Sequence, residues 1–526
     1  MRVTTKVIQH NSVSNVNANK VIQDKLNNQM STQKKIVRPS DDPVIAIRAL
    51  RLRTNVSQVT QYYEKNIPDA ESWMQITEDA LTTVTSVLTD MIEQCTKGSS
   101  EKLTATDRDT ILNEIQLLRD EVYSTGNADY AGRSVFTGYR TETTLKFTEG
   151  VSLKYSITEQ IHNDSLDSIK YVNECLDINN INEVNFMDAT YSGIVEQDIE
   201  ESKIFRLRLA YNNVDLTGTM PVLKTYDETA GDYVAMNTAA NTQIISSNST
   251  PNPYDIMKGM DQTKDGFILI PETGELLMTE SAYNSLMELR DDVSTAQLDE
   301  SEIRVTYEKT TWELDDLKPE HYFACTSTDS NGINIKYNQD YLVGIHEKQA
   351  IEYDVGLSQS IRVNTTADEV FTHDIGRDID DLISSMQEVI DMDETVNRLA
   401  KIAATYPDPT TPEYQTIHKQ LDAANKALTY LKEKNQKLFE GSITKMQNHL
   451  NTANYATTNC GTREKKLSLI KNRLMSQKTN FETLQSENED ADLATLAIQL
   501  SGAELTYQAA LMSVSKIMQT SLMNYI

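Results

Sequence analysis

Long uncharged apolar stretches are missing from this chain, and its mean hydropathy is −0.48, so no bilayer-spanning helix and no membrane partner are expected. An excess of positive charge is missing too. There are 78 Asp and Glu against 49 Lys and Arg, a formal charge of −29. Binding phosphate requires a cationic footprint, which excludes nucleic acid as the main partner. Cysteine is sparse: Cys95, Cys175, Cys325 and Cys460 lie far apart, with no CxxC pair and no ligand spacing to the seven histidines. Free thiols are therefore expected, with neither a metal site nor a disulfide framework. The phosphate-cradling patterns GxxxxGK[ST] and GxGxxG do not occur. His346-Glu347 opens like a zinc-peptidase helix motif, but Ala350 stands where the second histidine is needed. The expectation is a protein that is not an enzyme and carries no cofactor. Met1 to Lys20 has no apolar core or cleavage site of a secretory signal, and none is expected.

What is present is long and patterned. A chain of 526 residues divides into roughly two or three domains. Both ends are helix-patterned and poor in Gly and Pro, whereas the middle is irregular, Tyr-rich and full of turn signals. A helix is expected from Pro43, with cap oxygens from Ser40 to Asp42 and Pro43 in the first turn, where its missing N–H costs little. Its apolar stripe runs Leu52, Val56, Val59, Tyr63, Ala70, Trp73, Ala80, Val84, Val87, Met91, Cys95, the spacing of a coiled-coil seam. Asn66 and Thr77 interrupt it, and Pro68 is expected to kink or restart the helix. Gly98 ends it. The next helix starts at Thr104, with Asp107 completing a capping box, and ends near Gly126 and Asn127.

After about Arg140 the period becomes strand-like, at Val151, Leu153, Tyr155, Ile157, at Phe205, Leu207, Leu209, Tyr211, and at Ile303, Val305, Tyr307. Hairpins are expected where Pro271 to Gly274 separates Phe267–Ile270 from Leu276–Met278, and at Asn331-Gly332. The acidic, Asn-rich residues 163–188 read as surface with some short helix. Helical patterning returns near Asp374, breaks around Pro407 to Pro412 and continues through Leu421, Leu428, Leu431 and Leu438. The last stripe comprises Leu493, Leu496, Ala497, Leu500, Ala503, Tyr507, Ala510, Leu511, Val514, Ile517, Met518, Leu522 and Tyr525. It needs a covering neighbour, and a second copy of the chain is the economical one.

Charge is distributed unevenly. Arg2, Lys6, Lys20, Lys25, Lys34, Lys35 and Arg38 make the start basic, while Glu487, Glu489, Asp490 and Asp492 introduce the last helix. Acids suit a helix N-terminus. They are also expected to attract Lys20, Lys25, Lys34, Lys35 and Arg38 of the same or a neighbouring chain, bringing the two terminal segments into register.

The segment KIVRPSDDPVIAIRALRLR from Lys35, with WMQITEDALTTVTSVLTDMIEQC from Trp73 and the C-terminal stretch Glu489 to Ile526, resembles the flagellin superfamily. Within it the likeness is specifically to the hook–filament junction family, hook-associated protein 3. Pro39-Ser40-Asp41-Asp42-Pro43, the stretch Ile351 to Phe371 and the ending Ser521 to Ile526 resemble that family more than flagellin itself.

The resemblance implies an α+β fold: a long antiparallel helical coiled-coil bundle built from both chain ends, with a β-rich inserted domain. Residues 1–42 and 488–526 are expected to form inner axial coiled-coil segments, and 43–140 with 372–487 an outer helical bundle. Residues 141–371 are then a β-rich insertion of more than one subdomain. The implied function is a structural subunit of the bacterial flagellum, a ring between hook and filament, secreted by flagellar type III export and ordered on assembly. Implied partners are further copies in a homo-oligomeric ring, the adjacent hook-associated junction protein, flagellin and a cytosolic export chaperone. A filament-forming flagellin is the alternative, and a surface-binding or adhesion module on the insertion is an alternative of another class. Subunit-interface residues are expected at Pro39, Ser40, Asp41, Asp42, Pro43, Arg48 and Arg51, and at Leu493, Leu496, Leu500, Tyr507, Leu511, Val514, Met518 and Leu522. In that reading Asp41 and Asp42 cap their own helix or pair with Arg48, Arg51 or Arg53 of a neighbour.

Overall fold

The computed structural model describes residues 5–100, 102–217, 220–227, 230–289, 302–329, 332–343 and 349–523, with side chains at 5, 164 and 517–523 outside the description. The fold is α+β, with long helices at both ends of the chain and strands between them. Helices α1 (Thr5–Thr32), α2 (Pro43–Gln61), α3 (Ile67–Gly98) and α4 (Ala105–Thr125) come first. The short helices α5 (Cys175–Asn180), α6 (Pro253–Gly259) and α7 (Glu280–Met287) punctuate the strands. Then α8 (His373–Thr405), α9 (Pro412–Glu489) and α10 (Leu493–Met523) follow. Among the described residues no helix is long and apolar enough to cross a membrane. The chain divides into two compact units, one of residues 1–71, 353–361 and 464–526, the other of 72–352 and 362–463.

In the first unit, α1 packs along α10. Helix α2 starts as expected: Asp42 is extended and accepts from the Val44 and Ile45 amides at 3.0 and 3.1 Å, with Pro43 in the first turn. The break expected at Pro68 takes a specific form. Residues Tyr62–Asn66 make one π-helical turn, closed by the Ile67 amide on the Tyr62 carbonyl, and α3 begins immediately after it. Proline has no N–H for the ladder and its ring crowds the preceding turn, so widening that turn lets the chain continue helically. Asn66, one of the polar interruptions of the stripe, donates to the Asp354 carbonyl at 2.7 Å.

In the second unit, α3 buries the expected stripe, and Thr77 stays in it by donating to the Trp73 carbonyl at 2.9 Å. A second column, Met74, Leu81 and Leu88, is equally buried. Its seven-residue spacing was readable and widens the seam. The Thr104–Asp107 capping box forms, and α4 ends at Thr125. Gly376 at the start of α8 donates its amide to the Tyr123 hydroxyl at 2.8 Å, and that hydroxyl donates to the Thr372 carbonyl at 3.0 Å, locking α4 to α8.

The strands form two larger sheets. The six-stranded sheet has the order 334–337, 324–328, 151–162, 302–312, 222–227, 232–235. Its long central pair runs antiparallel from His162↔Glu302 to Val151↔Trp312, with an irregularity between Lys309 and Thr311. Tyr155, Ile157 and Ile161 face the core with Ile303, Val305 and Tyr307. The five-stranded sheet has the order 167–172, 201–208, 275–278, 267–270, 242–244. Its Phe267–Ile270/Glu275–Met278 hairpin is the expected one, turning through Gly274 at φ 68°. A side chain there would run into the Tyr211 carbonyl. The strands flanking the other expected hairpin pair antiparallel, Cys325↔Tyr337 to Thr328↔Asn334; Asn331 itself, like His346 and Glu347, lies outside the described residues.

One expectation fails. Residues 163–188 are not a surface segment: they hold the strand Asp167–Val172 as well as α5, and Val172, Ile178, Ile181 and Phe186 are buried against Val389, Met392, Leu399, Ala423 and Leu428 of α8 and α9. Polar residues between these four mask a core whose partners lie over two hundred positions further along. Helix α8 is also an electrostatic hub. Asp378 pairs with Lys445 at 2.6 Å and His449 at 2.9 Å, and Asp381 holds Arg206 at 2.5 Å and Arg208 at 2.6 Å. Arg206, buried, also reaches Asp167 at 2.9 Å and Glu275.

Candidate functional site: the clasp joining the chain ends

The two terminal segments meet in the first unit at one small cluster. Gln33, in the left-handed region at φ 58°, turns the chain out of α1. Lys34 and Asp490 then form an isolated antiparallel bridge, in which the Lys35 amide donates to the Glu489 carbonyl at 2.7 Å and the Ala491 amide to the Gln33 carbonyl at 2.9 Å. A backbone bridge fixes register independently of side-chain type.

Side chains reinforce it. Lys34 Nζ lies 2.5 Å from Asp490 Oδ1 and 3.7 Å from Glu489 Oε2. Arg53 of α2 grips Glu489 in a two-pronged pair, Nε to Oε1 at 2.7 Å and Nη2 to Oε2 at 2.5 Å. Planar guanidinium against planar carboxylate is the strongest geometry such a pair offers. Glu489 is 2% exposed, so its charge depends on these partners. The Arg53 hydrogen bond holds its carboxyl below the usual range, and Lys34 does the same for Asp490. Lys35 Nζ donates to the Glu487 carbonyl, and Asn488 Nδ2 reaches the Ile45 carbonyl at 3.2 Å. Asp492 does what an acid at this position does, accepting from the Ala494 and Thr495 amides at 3.0 and 3.4 Å to cap α10.

Of the basic residues expected to meet the acidic cluster, Lys34 and Lys35 do so within the same chain. Arg53, expected to serve Asp41 or Asp42 of a neighbouring copy, is the strongest partner of Glu489 within its own chain. Asp41 is held by its own loop, accepting from the Val37 and Arg38 amides at 3.2 and 2.9 Å, and these bonds lower its pKa. Pro39, Ser40 and Pro43 are exposed, as are Arg48 and Arg51 on the outer side of α2, beside exposed Val44, Ile47 and Leu50. On α10, Leu496 is buried at 5% exposure, Leu500, Tyr507 and Val514 are half-buried, and Leu493 and Leu511 are exposed. Met518 and Leu522 have side chains outside the described residues. The half-buried seam of α1 is Ser12, Val16, Asn19, Gln23 and Leu26, while Val7, Val13, Val21 and Ile22 stay exposed. The paired terminal helices thus carry apolar side chains that their own contact does not cover.

Residues 3–141 match the family model of the bacterial flagellin N-terminal helical region. The chain is 32% identical over 144 residues to flagellar hook-associated protein 3 of Escherichia coli, and 30% identical over 143 residues to that of Salmonella typhimurium. Both matches span 27% of this chain and 45%, less than half, of the relative's length. The solved flagellar junction protein FlgL of Legionella pneumophila aligns over 81% of this chain and 99% of its own, at 10% identity and a TM-score of 0.26, a superposition too loose to argue from.

Proposed function

We propose that the chain is a structural subunit of the bacterial flagellum that forms the ring joining hook to filament. The observation carrying this reading is the clasp: in a chain whose residues 3–141 match the flagellin N-terminal helical region, Lys34, Arg53, Glu489 and Asp490 tie the first and last segments into one unit whose helices keep apolar side chains exposed. Such faces are covered when further copies pack beside them. The interface is formed by the exposed loop Pro39 to Pro43, by Arg48 and Arg51, and by the outward residues of α10. The remaining partners are the adjacent hook-associated protein, flagellin, and an export chaperone that holds the chain before type III secretion to the outside of the cell. The reaction content is nil; the work is done by surfaces.

The test is placement. Gold-labelled antibody against the chain should mark one site per flagellum, at the base of the filament, and a strain lacking the chain should keep hooks and shed flagellin. Label along the whole filament would make it a filament-forming flagellin, and intact filaments in the deletion strain would remove the junction role.

A further inference from the structure

The long strand 302–312 turns Ile303, Val305 and Tyr307 toward the core, and the next residue of that face is Lys309. Its side chain is 0% exposed. A lysine is almost never buried so completely without partners, because desolvation opposes its charge. Three oxygens surround the amine: Nζ donates to the Asn212 carbonyl and to Asn212 Oδ1, each at 2.9 Å, and lies 3.1 Å from Asp316 Oδ2. The buried rings of Trp312 and Tyr211 close over it, their centroids 5.0 and 5.7 Å from Nζ. Burial pushes the amine's pKa down against the pull of Asp316, which raises the share of neutral, nucleophilic amine.

A carboxylate alone would answer the charge of Lys309, and the carboxamide beside it adds an acyl carbon within reach. Asn212 Cγ is one C–O bond, about 1.2 Å, beyond the oxygen that Nζ touches. Nucleophile, acyl carbon and carboxylate are held together by separate stretches of backbone, so their encounter is intramolecular. Asn213 and Asp315, next to Asn212 and Asp316, both take the left-handed backbone, at φ 51° and 74°, conformations that the surrounding structure has to hold in place. Asn212 as a whole is exposed, which gives a group released from it a way out. We propose that Lys309 and Asn212 join in an intramolecular isopeptide bond, formed by the protein itself with Asp316 as the catalytic acid–base residue. Asp316 takes a proton from the Lys309 ammonium, and the neutral Nζ attacks Asn212 Cγ, forming the Nζ–Cγ bond as an electron pair moves onto Oδ1. Asp316 returns that proton to Nδ2 and passes it a second from the attacking nitrogen. The Cγ–Nδ2 bond then breaks, its electron pair staying on nitrogen, and ammonium leaves. One ammonium and one carboxamide become one secondary amide and one ammonium ion, so the step needs no oxidant, reductant or second substrate. The bond ties strand 302–312 of the six-stranded sheet to the segment that follows strand 201–208 of the five-stranded sheet. The inference is independent of the junction reading.

Intact-mass measurement of the denatured full chain tests it. The parent should weigh about 17 Da less than its sequence, the loss of one ammonia, and tandem mass spectrometry of a protease digest should find Lys309 and Asn212 in one branched fragment. Lys309→Met and Asn212→Ala should each restore the full mass, and Asp316→Asn should leave most molecules unjoined. The parent's mass and its branched fragment decide the matter however well the variants fold. The inference is overturned if the parent has the full mass of its sequence, if the deficit persists in Lys309→Met, or if Lys309 and Asn212 occur only in linear fragments. Complete joining in Asp316→Asn would overturn the role given to Asp316.

Discussion

Arg53 and Glu489, 436 positions apart in sequence, face each other through two parallel hydrogen bonds of 2.7 and 2.5 Å. Helix α2 and the last residue of α9 are joined by this pair, and through Lys34 the same carboxylate reaches the turn that follows α1. Arg53 is more than half exposed, so solvent screens the pair and its worth is about 1 kcal/mol. Arg53→Met should therefore leave the global melting temperature nearly unchanged and speed amide exchange at Lys35 and Ala491, whose bonds form the bridge. Unchanged exchange at both amides would separate the pair from the bridge.

Acid should open the clasp. Glu489 and Asp490 both have carboxyls held below their ordinary values by Arg53 and Lys34. Their contribution is complete above the unfolded pKa, near 4, and is lost as pH falls through the lower folded values. Amide exchange at Ala491 should rise below about pH 4, and Glu489→Gln should blunt that rise. Glu159 has the opposite sign. It is buried, accepts from the Tyr307 hydroxyl and the Ala210 amide, and has its pKa raised by desolvation. Its contribution declines as pH rises through the raised folded value, so Glu159→Gln should flatten the stability of the second unit on the alkaline side of pH 4. A thermal melt series from pH 4 to 8 checks the slope.

The buried Arg206 network should be the most fragile point of the second unit. Removing the guanidinium strands Glu275 and leaves Asp167 and Asp381 without their shared partner. Arg206→Ala is expected to cost roughly 3 kcal/mol or more, read by urea unfolding, whereas Lys434→Ala, which breaks an exposed pair with Glu388, should cost under about 1 kcal/mol.

Along α10 packing and the proposed assembly draw on different residues. Leu496 is buried and Ile498, two residues on, is 74% exposed. Leu496→Ala should loosen α10 in the isolated subunit, seen as faster proteolysis of the C-terminal segment. Ile498→Ala should leave the isolated subunit as it is and lower incorporation into flagella. Equal incorporation of Ile498→Ala and the parent would remove that position from the interface.

Much of this architecture is legible locally. The Asp42 and Thr104 caps, the Gly274 turn and the α3 stripe depend on residues within a few positions of each other, which is the range over which propensity and periodicity act. The clasp was half legible: opposite charge at the two ends pointed to Lys34 and Asp490, but nothing local says that Arg53 turns toward Glu489, 436 positions further along. The core role of residues 163–188 was illegible for the same reason, since Ile178 and Phe186 acquire partners only when α8 and α9 arrive. The π turn at Tyr62–Asn66 follows from Pro68, but its place before the proline is a property of the hydrogen-bond ladder and not of composition.

The Lys34–Asp490 bridge also sets how length changes near the ends would be felt. Each helical residue advances the azimuth by about 100°, so one residue inserted between Thr32 and Gln33 would leave the bridge intact and rotate the whole of α1 beneath it. Val16 and Leu26 would swing away from α10, and outward side chains would take their places. Four residues would nearly restore the facing, moving the helix by about one turn, roughly 6 Å. Insertions at this hinge should thus be tolerated in steps matched to the helical repeat and rejected between them, a phase rule that the long middle of the chain, attached elsewhere, does not have to obey.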